Sequence, residues 1–269
     1  MASVTASGGV SFETINRDET ALRAMLKYYV TQVPRLAVHP LAGLALEEVD
    51  SSTKNVRAFT EAEETNIWKA AEAREEKRRQ ERASGNAWRE KRGRTLLPSL
   101  ENRYTDVLLP AMKIARLTGL RRGEMFSLDW EHVDLHTKEI TLEREKAKDF
   151  EQRTIPLSKE AVAVLRVWKM QRGGRGAVFV NEQGGRVAYL KRGFYALLED
   201  AGINRSNGAR VSWNSWRHTF ATSLIHRGVD VATVKDLMGH SSVSTVIDRY
   251  LSTDVEKKKD AIAQLDVSG

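Results

Sequence analysis

Four side chains between positions 121 and 250 are of the types that break a phosphodiester without a metal. Arg121 stands in Thr118-Gly119-Leu120-Arg121-Arg122-Gly123-Glu124, Arg217 in Arg217-His218-Thr219, His240 after Met238-Gly239, and Tyr250 in Asp248-Arg249-Tyr250. Two guanidiniums can neutralise a phosphorane-like oxyanion, the imidazole can add a hydrogen bond, and the phenol can attack phosphorus to form a covalent intermediate. A bidentate arginine contributes about 3–4 kcal/mol to such a transition state, and lysine is a poorer substitute. A free phenol ionises near pH 10, so phenolate at neutral pH costs roughly 4 kcal/mol, which nearby positive charge or a base must offset. Arg217 lies among Trp213, Trp216 and Phe220, where an unpaired guanidinium is expensive to bury, so it calls for an anion.

The composition agrees with an anionic partner. The 269 residues include 43 Lys+Arg against 36 Asp+Glu, a formal charge of +7, which favours nucleic acid first and an anionic membrane second. There is no cysteine, which excludes disulfides, thiolate metal sites and cysteine nucleophiles. No apolar run reaches the roughly 18–20 residues of a membrane span, and the first nine residues lack the pattern of a leader, so a cytoplasmic location is expected.

Other chemistries fit less well. His132 and His136 are four apart, but Val133-Asp134-Leu135 between them leads into strand-like sequence, so no metal site is expected. The glycines at 173–176 and 184–185 match neither nucleotide-binding pattern, and no nucleotide or other cofactor is expected. The stretch 231–251 has the gross shape of a helix-turn-helix, which leaves open a non-catalytic, sequence-specific DNA-binding protein. Against it, the second helix displays mostly Val, Ile, Ser and Thr, and Arg121 and Lys148 are left without a role.

The elements that must position these groups read as mainly α with a small antiparallel β-sheet, an α+β fold. Residues 12–33 place Ile15, Leu22, Met25, Leu26, Tyr29 and Val33 on one helical stripe that must cover something. Residues 47–57 are polar and read as a linker. Thr60-Glu61-Ala62-Glu63 is a capping box that opens a highly charged helix to about Arg82, read as a solvated face. Ser84-Gly85-Asn86 is expected to break that helix, and residues 89–94 form a short basic patch for phosphate or water. Pro110 suits the first turn of a helix that Gly119 ends in a left-handed conformation, so Arg121 sits just past a helix end. Residues 139–143 and 152–157 alternate around Ile140, Leu142 and Ile155, which predicts a hairpin with Lys146 and Lys148 near its tip. Ser158 caps a helix through Met170, and an extended piece at 177–180 leads to a turn at Gln183-Gly184-Gly185. Further helices are expected over 190–201, 215–227, 231–238 and 244–251, with Gly202, Gly228 and Gly239 as stops and Asp230 as an N-cap.

Taken in order, Thr118-Gly119-Leu120-Arg121-Arg122-Gly123-Glu124, the Lys148-x4-Arg153-Thr154-Ile155-Pro156-Leu157 run, Trp216-Arg217-His218-Thr219-Phe220-Ala221, Leu237-Met238-Gly239-His240 and Asp248-Arg249-Tyr250 resemble the tyrosine recombinases, or phage integrases. Order and spacing agree over roughly residues 55–265. The resemblance implies a site-specific DNA recombinase that cleaves and rejoins double-stranded DNA through a 3′-phosphotyrosyl intermediate without a metal. It makes Tyr250 the nucleophile, Arg121 and Arg217 the phosphate ligands, Lys148 the acid that protonates the leaving 5′-oxygen, and His240 a further phosphate donor. Lys146 competes with Lys148 for that role. Glu124 is expected to orient neighbouring groups, and Lys146, Arg122 and Arg153 to contact DNA.

One position departs from the family pattern. The second-arginine box usually reads His-x-x-Arg, but Asn214 stands three before Arg217 and cannot take a proton at neutral pH. Proton removal from Tyr250 then falls to water, to His218 or to the phosphate, and reduced activity is expected.

The resemblance also suggests domains: residues 1–46 as the last helices of a core-binding, DNA-clamping domain, 47–57 as a linker, and 58–269 as the catalytic domain with a tail. The chain is then expected to be shortened at its N-terminus, a natural remnant, or the product of a misassigned start. A homo-tetramer on DNA is expected. The tail from Asp254, with Val255, Ile262 and Leu265 on one weak apolar face, packs either on a neighbouring protomer or on its own domain.

Overall fold

The computed structural model describes residues 12–32, 56–142, 153–203 and 210–239. The chain divides into two compact units, Met1–Asn55 and Val56–Gly269. In the first, helix α1 (Phe12–Gln32) carries Ile15, Leu22, Met25, Leu26 and Tyr29 of the expected stripe, Val33 lies outside the described residues, and Arg23 pairs with Glu19 one turn away at 2.7 Å. None of the described helices is long and apolar enough to cross a membrane.

The second unit is mainly α with one small sheet, as expected. Its helices are α2 (Glu61–Glu90), α3 (Leu108–Thr118), α4 (Arg122–Ser127), α5 (Lys159–Arg172), α6 (Lys191–Asp200), α7 (Asn214–His226) and α8 (Val231–Met238). Strands β1 (Val133–Asp134), β2 (Glu139–Leu142) and β3 (Arg153–Pro156) form an antiparallel sheet in that order, with Ile140 opposite both Val133 and Ile155. These three apolar residues share one buried face, as the period-two pattern requires. The expected hairpin therefore forms, and its tip lies outside the described residues.

Local signals set most helix ends. Ser158 accepts from Ala161 N–H at 3.1 Å, Asp230 from Thr233 N–H at 2.8 Å, and Gly119 and Gly239 end α3 and α8 in the left-handed region. Around α3, packed between α5 and α7, lies a core that includes Trp168, Phe194, Trp213 and Trp216. Trp168 gives its indole N–H to Val178 O at 2.7 Å, which satisfies the ring while it is buried. A smaller cluster of Phe220, Ala221, Val234 and Met238 joins α7 to α8.

Helix α2 differs from expectation twice. It runs through Ser84-Gly85-Asn86 rather than breaking there. A mid-helix glycine costs about 1 kcal/mol, and Asn86 offsets this by pairing its amide with both Leu97 N–H and Leu97 O, at 2.9 and 2.8 Å. Nor is its charged surface simply solvated. Glu75 is 2% exposed and accepts from Thr105 N and Oγ1, while Arg74 and Arg78 both pair with Asp106. The charges of α2 anchor the returning segment to the helix, a pairing across roughly 30 residues of sequence that periodicity does not report.

Candidate functional site: an arginine cluster at two helix ends

At the end of α3, Gly119 has φ +63, and a Cβ there would lie 2.4 Å from Phe220 Cδ1 on α7. Backbone sign and the aromatic neighbour both demand glycine. The turn buries Leu120 and sets Arg121 immediately before α4. Arg121 N–H donates to Glu124 Oε2 at 2.8 Å, its Nη1 to Glu124 Oε1 at 2.8 Å, and its Nη2 to Gly239 O at 2.7 Å.

The carboxylate has a second arginine. Arg153, the first residue of β3, donates from Nη1 to Oε1 and from Nη2 to Oε2 of Glu124, each at 3.1 Å. Burial pushes the Glu124 carboxyl up, but the hydrogen bonds and charge of Arg153, with the N–H and guanidinium of Arg121, outweigh it and hold the pKa at about 2. Glu124 therefore stays ionised throughout the neutral range.

Arg217 comes from a stretch of α7, Ser215–Ala221, that is buried on every side, and is 6% exposed. Its Nη1 donates to Gly119 O at 2.7 Å and its Nη2 to Met238 O. A Cβ on Gly239, at φ +60, would meet Arg153 Nη1 at 2.2 Å. Three guanidiniums thus converge on the dipeptide Met238-Gly239: Arg217 on one carbonyl, Arg121 on the next, and Arg153 against the glycine itself. The C-terminal carbonyls of α8 lack helical partners and carry the negative end of its dipole, which favours cations there. Glu124 is the carboxylate that pairs with two of these arginines. The cluster keeps an excess of positive charge where the chain continues to His240.

The remaining candidates fall into three groups. Asn214 is exposed in the first turn of α7, on the same side as Arg217 three residues on, and its N–H donates to Ser212 Oγ at 3.2 Å. His218, next to Arg217, is buried. Arg122 is exposed and lies 4.6 Å over the Tyr189 ring. Lys146, Lys148, His240 and Tyr250 lie outside the described residues, as do the helix expected over 244–251 and the tail.

Two features of the cluster escaped the sequence. Helix α4 had a usable signal, since Glu124 three after Arg121 is the acidic position of a capping box. The pairing of Arg153 with Glu124 had none, because 29 residues separate them. Arg153, expected among DNA contacts, has both terminal nitrogens on Glu124.

His132 ends a short 3-10 turn (Trp130–His132), and His136 lies beyond β1, so the two imidazoles do not share a helix. Asp129, Glu131 and His132 stand close enough to hold an ion, but Arg186 binds Asp129 at 2.6 Å and His132 Nδ1 accepts from Asp129 N–H at 3.2 Å. The protein's own groups already use two of those three side chains.

Fold and site together define a mainly helical, arginine-lined domain of the α+β class. The sequence model of the phage integrase family matches residues 90–257, and the chain belongs to that family as a tyrosine recombinase catalytic domain. It is 35% identical over 136 residues to the tyrosine recombinase XerD of Mycobacterium tuberculosis (strain CDC 1551 / Oshkosh), covering 48% of this chain and 42% of that one. To the tyrosine recombinase XerC of Haemophilus ducreyi it is 30% identical over 141 residues, covering 51% and 45%. The match thus spans less than half the length of these curated relatives. In fold it is similar to the Tn1549 transposon integrase in complex with a circular intermediate DNA, with a TM-score of 0.66 at 18% identity, covering 96% of this chain and 80% of that one. The XerH site-specific recombinase bound to palindromic difH substrate gives 0.64 at 18%, covering 97% and 69%. These matches do not favour a non-catalytic helix-turn-helix protein.

Proposed function

We propose that this chain catalyses DNA strand cleavage and rejoining in site-specific recombination, with double-stranded DNA as substrate. The observation that carries the reading is the convergence of Arg121, Arg153 and Arg217 on Met238-Gly239. Such a cluster suits a single phosphate: Arg121 uses two of its donors on Glu124 and Gly239 O, which fixes its fork and leaves others for an anion.

In this reading Tyr250 Oη attacks phosphorus, the bond from phosphorus to the 5′-oxygen breaks, and Lys148 protonates that leaving oxygen. A 3′-phosphotyrosyl ester results. A 5′-hydroxyl from a partner strand later attacks the ester and releases the tyrosine, so the number of phosphodiesters is conserved. Arg121 and Arg217 hold the non-bridging oxygens as charge builds on them, and His240 adds a donor. Glu124 and Arg153 keep Arg121 in position. The phenolic proton passes to water, to His218 or to the phosphate, because Asn214 cannot accept it. Four protomers on two duplexes, a clamp contribution from residues 1–46, and a linker at 47–57 complete the proposal; these rest on the family resemblance.

The test uses a pool of nicked suicide duplexes with randomised sequence, incubated with the wild type and with Tyr250→Phe, then denatured. Covalent protein–DNA adducts with the wild type alone are expected, and sequencing the trapped strands identifies the target. Equal adducts with both proteins, or none with either, would refute the assignment of Tyr250.

A further inference from the structure

The far end of α2 carries charge that strand cleavage leaves unused. Residues 89–94 hold Arg89, Lys91, Arg92 and Arg94 against the single acid Glu90. Upstream, Arg74, Arg78 and Arg79 are each paired with a carboxylate. Among the described residues, none of the four basic groups at the tip has a carboxylate within ion-pair distance. From Glu76 onward no residue of α2 is buried, and residues 90–99 are all exposed.

This tip is built rather than frayed. Gly93, at φ +61, turns the chain back, with the N–H groups of Arg92 and Arg94 both donating to Arg89 O at 3.0 Å. Arg89 Nη1 holds Thr95 O at 3.1 Å, and the Asn86 amide clamps Leu97 from both sides. The turn brings the guanidiniums of Arg92 and Arg94 to 4.1 and 5.0 Å from the ring centre of Trp88, which is 45% exposed. Two like charges gathered on one half-exposed indole repel each other, and an anion bound between them removes the repulsion. A rigid aromatic flanked by paired guanidiniums suits a phosphate with its neighbouring sugar.

We infer that this tip, through Trp88, Lys91, Arg92 and Arg94, is a second site of attachment to the backbone of duplex DNA, outside the cleaved step. The inference rests on the proposed action on DNA. Helix α2 starts beside α7, where Phe59 N–H donates to Thr219 Oγ1 at 2.9 Å, two residues from Arg217. Thirty helical residues span about 45 Å, so the tip is placed to meet flanking duplex rather than the reacting phosphate.

The test measures binding of the whole chain to a random-sequence 40-base-pair duplex by fluorescence anisotropy over a salt series. Arg92→Gln with Arg94→Gln is expected to flatten the slope of log affinity against log salt by about 2, because each phosphate no longer neutralised lowers it by about 0.9. Arg92→Lys with Arg94→Lys, which keeps both charges, retains the slope. An unchanged slope for the glutamine variant overturns the inference, as does equal flattening by the lysine variant. Wild-type binding to phosphatidylglycerol vesicles that the glutamine variant loses, with its DNA slope intact, assigns the tip to a membrane and also overturns it. Formation of the Tyr250 adduct is scored separately: adduct with an unaltered slope sinks the role of the tip alone, whereas absence of any salt-dependent DNA binding by the wild type sinks both.

Discussion

Glu124 and Arg153 face each other through two parallel hydrogen bonds of 3.1 Å, with side chains only 24% and 16% exposed. A fork of this kind fixes direction as well as distance. Because Arg121 donates to the same carboxylate, the pair ties the start of β3 to the turn after α3. The bond therefore fixes the start of the strand that begins, in sequence, five residues after Lys148.

Replacing Glu124 by Gln should lower stability in a pH-dependent way. The folded pKa of about 2 is below the ordinary 4.5, so the carboxylate's contribution is fully present above 4.5 and is lost as pH falls toward 2. The shift corresponds to about 3 kcal/mol at neutral pH. Urea unfolding at pH 7 should show Glu124→Gln less stable by about 2–3 kcal/mol, with the gap narrowing by pH 3. A gap of constant size would show that the charge is irrelevant.

Gly119→Ala should destabilise by about 2–4 kcal/mol, since it combines a left-handed backbone with a clash on Phe220. Adding Phe220→Leu should recover part of the loss. Thermal unfolding of the single and double variants checks this, and no recovery would leave the backbone strain as the whole cause.

Arg217→Lys should fail at both carbonyls that the guanidinium spans, Gly119 O on α3 and Met238 O on α8. One ammonium cannot reproduce the fork. A stability loss of about 1–3 kcal/mol is expected, with adduct formation slowed about 10²-fold or more. Normal cleavage kinetics in the lysine variant would remove Arg217 from the reaction.

Asn214→His restores a proton acceptor in the first turn of α7, three residues from Arg217. The rate of covalent adduct formation should rise, by about 10² if the imidazole acts as a general base, and should climb with pH through about 6.5. Single-turnover rates between pH 5.5 and 8 decide it. An unchanged rate would show that no base is needed at this position.

Signals contained within one turn of chain were legible. Gly119 as a stop, Ser158 and Asp230 as caps, and the alternation around Ile140 and Ile155 all have their physical cause within a few neighbours. The continuation of α2 through Gly85 was not legible, because the Asn86–Leu97 clamp that stabilises it comes from eleven residues away.

The same division runs through the site. The residue types, the excess of positive charge and the order of the motifs follow from the chain alone, and they pointed to phosphate chemistry and to the family. Which group each arginine holds was decided only in three dimensions. Arg153 meets Glu124 across 29 residues, Arg217 meets Gly119 across 98, and Arg121 meets Gly239 across 118. Such partners are selected by how α3, α7, α8 and β3 pack, and a hydrogen bond between distant segments leaves no periodicity in the sequence from which it could be read.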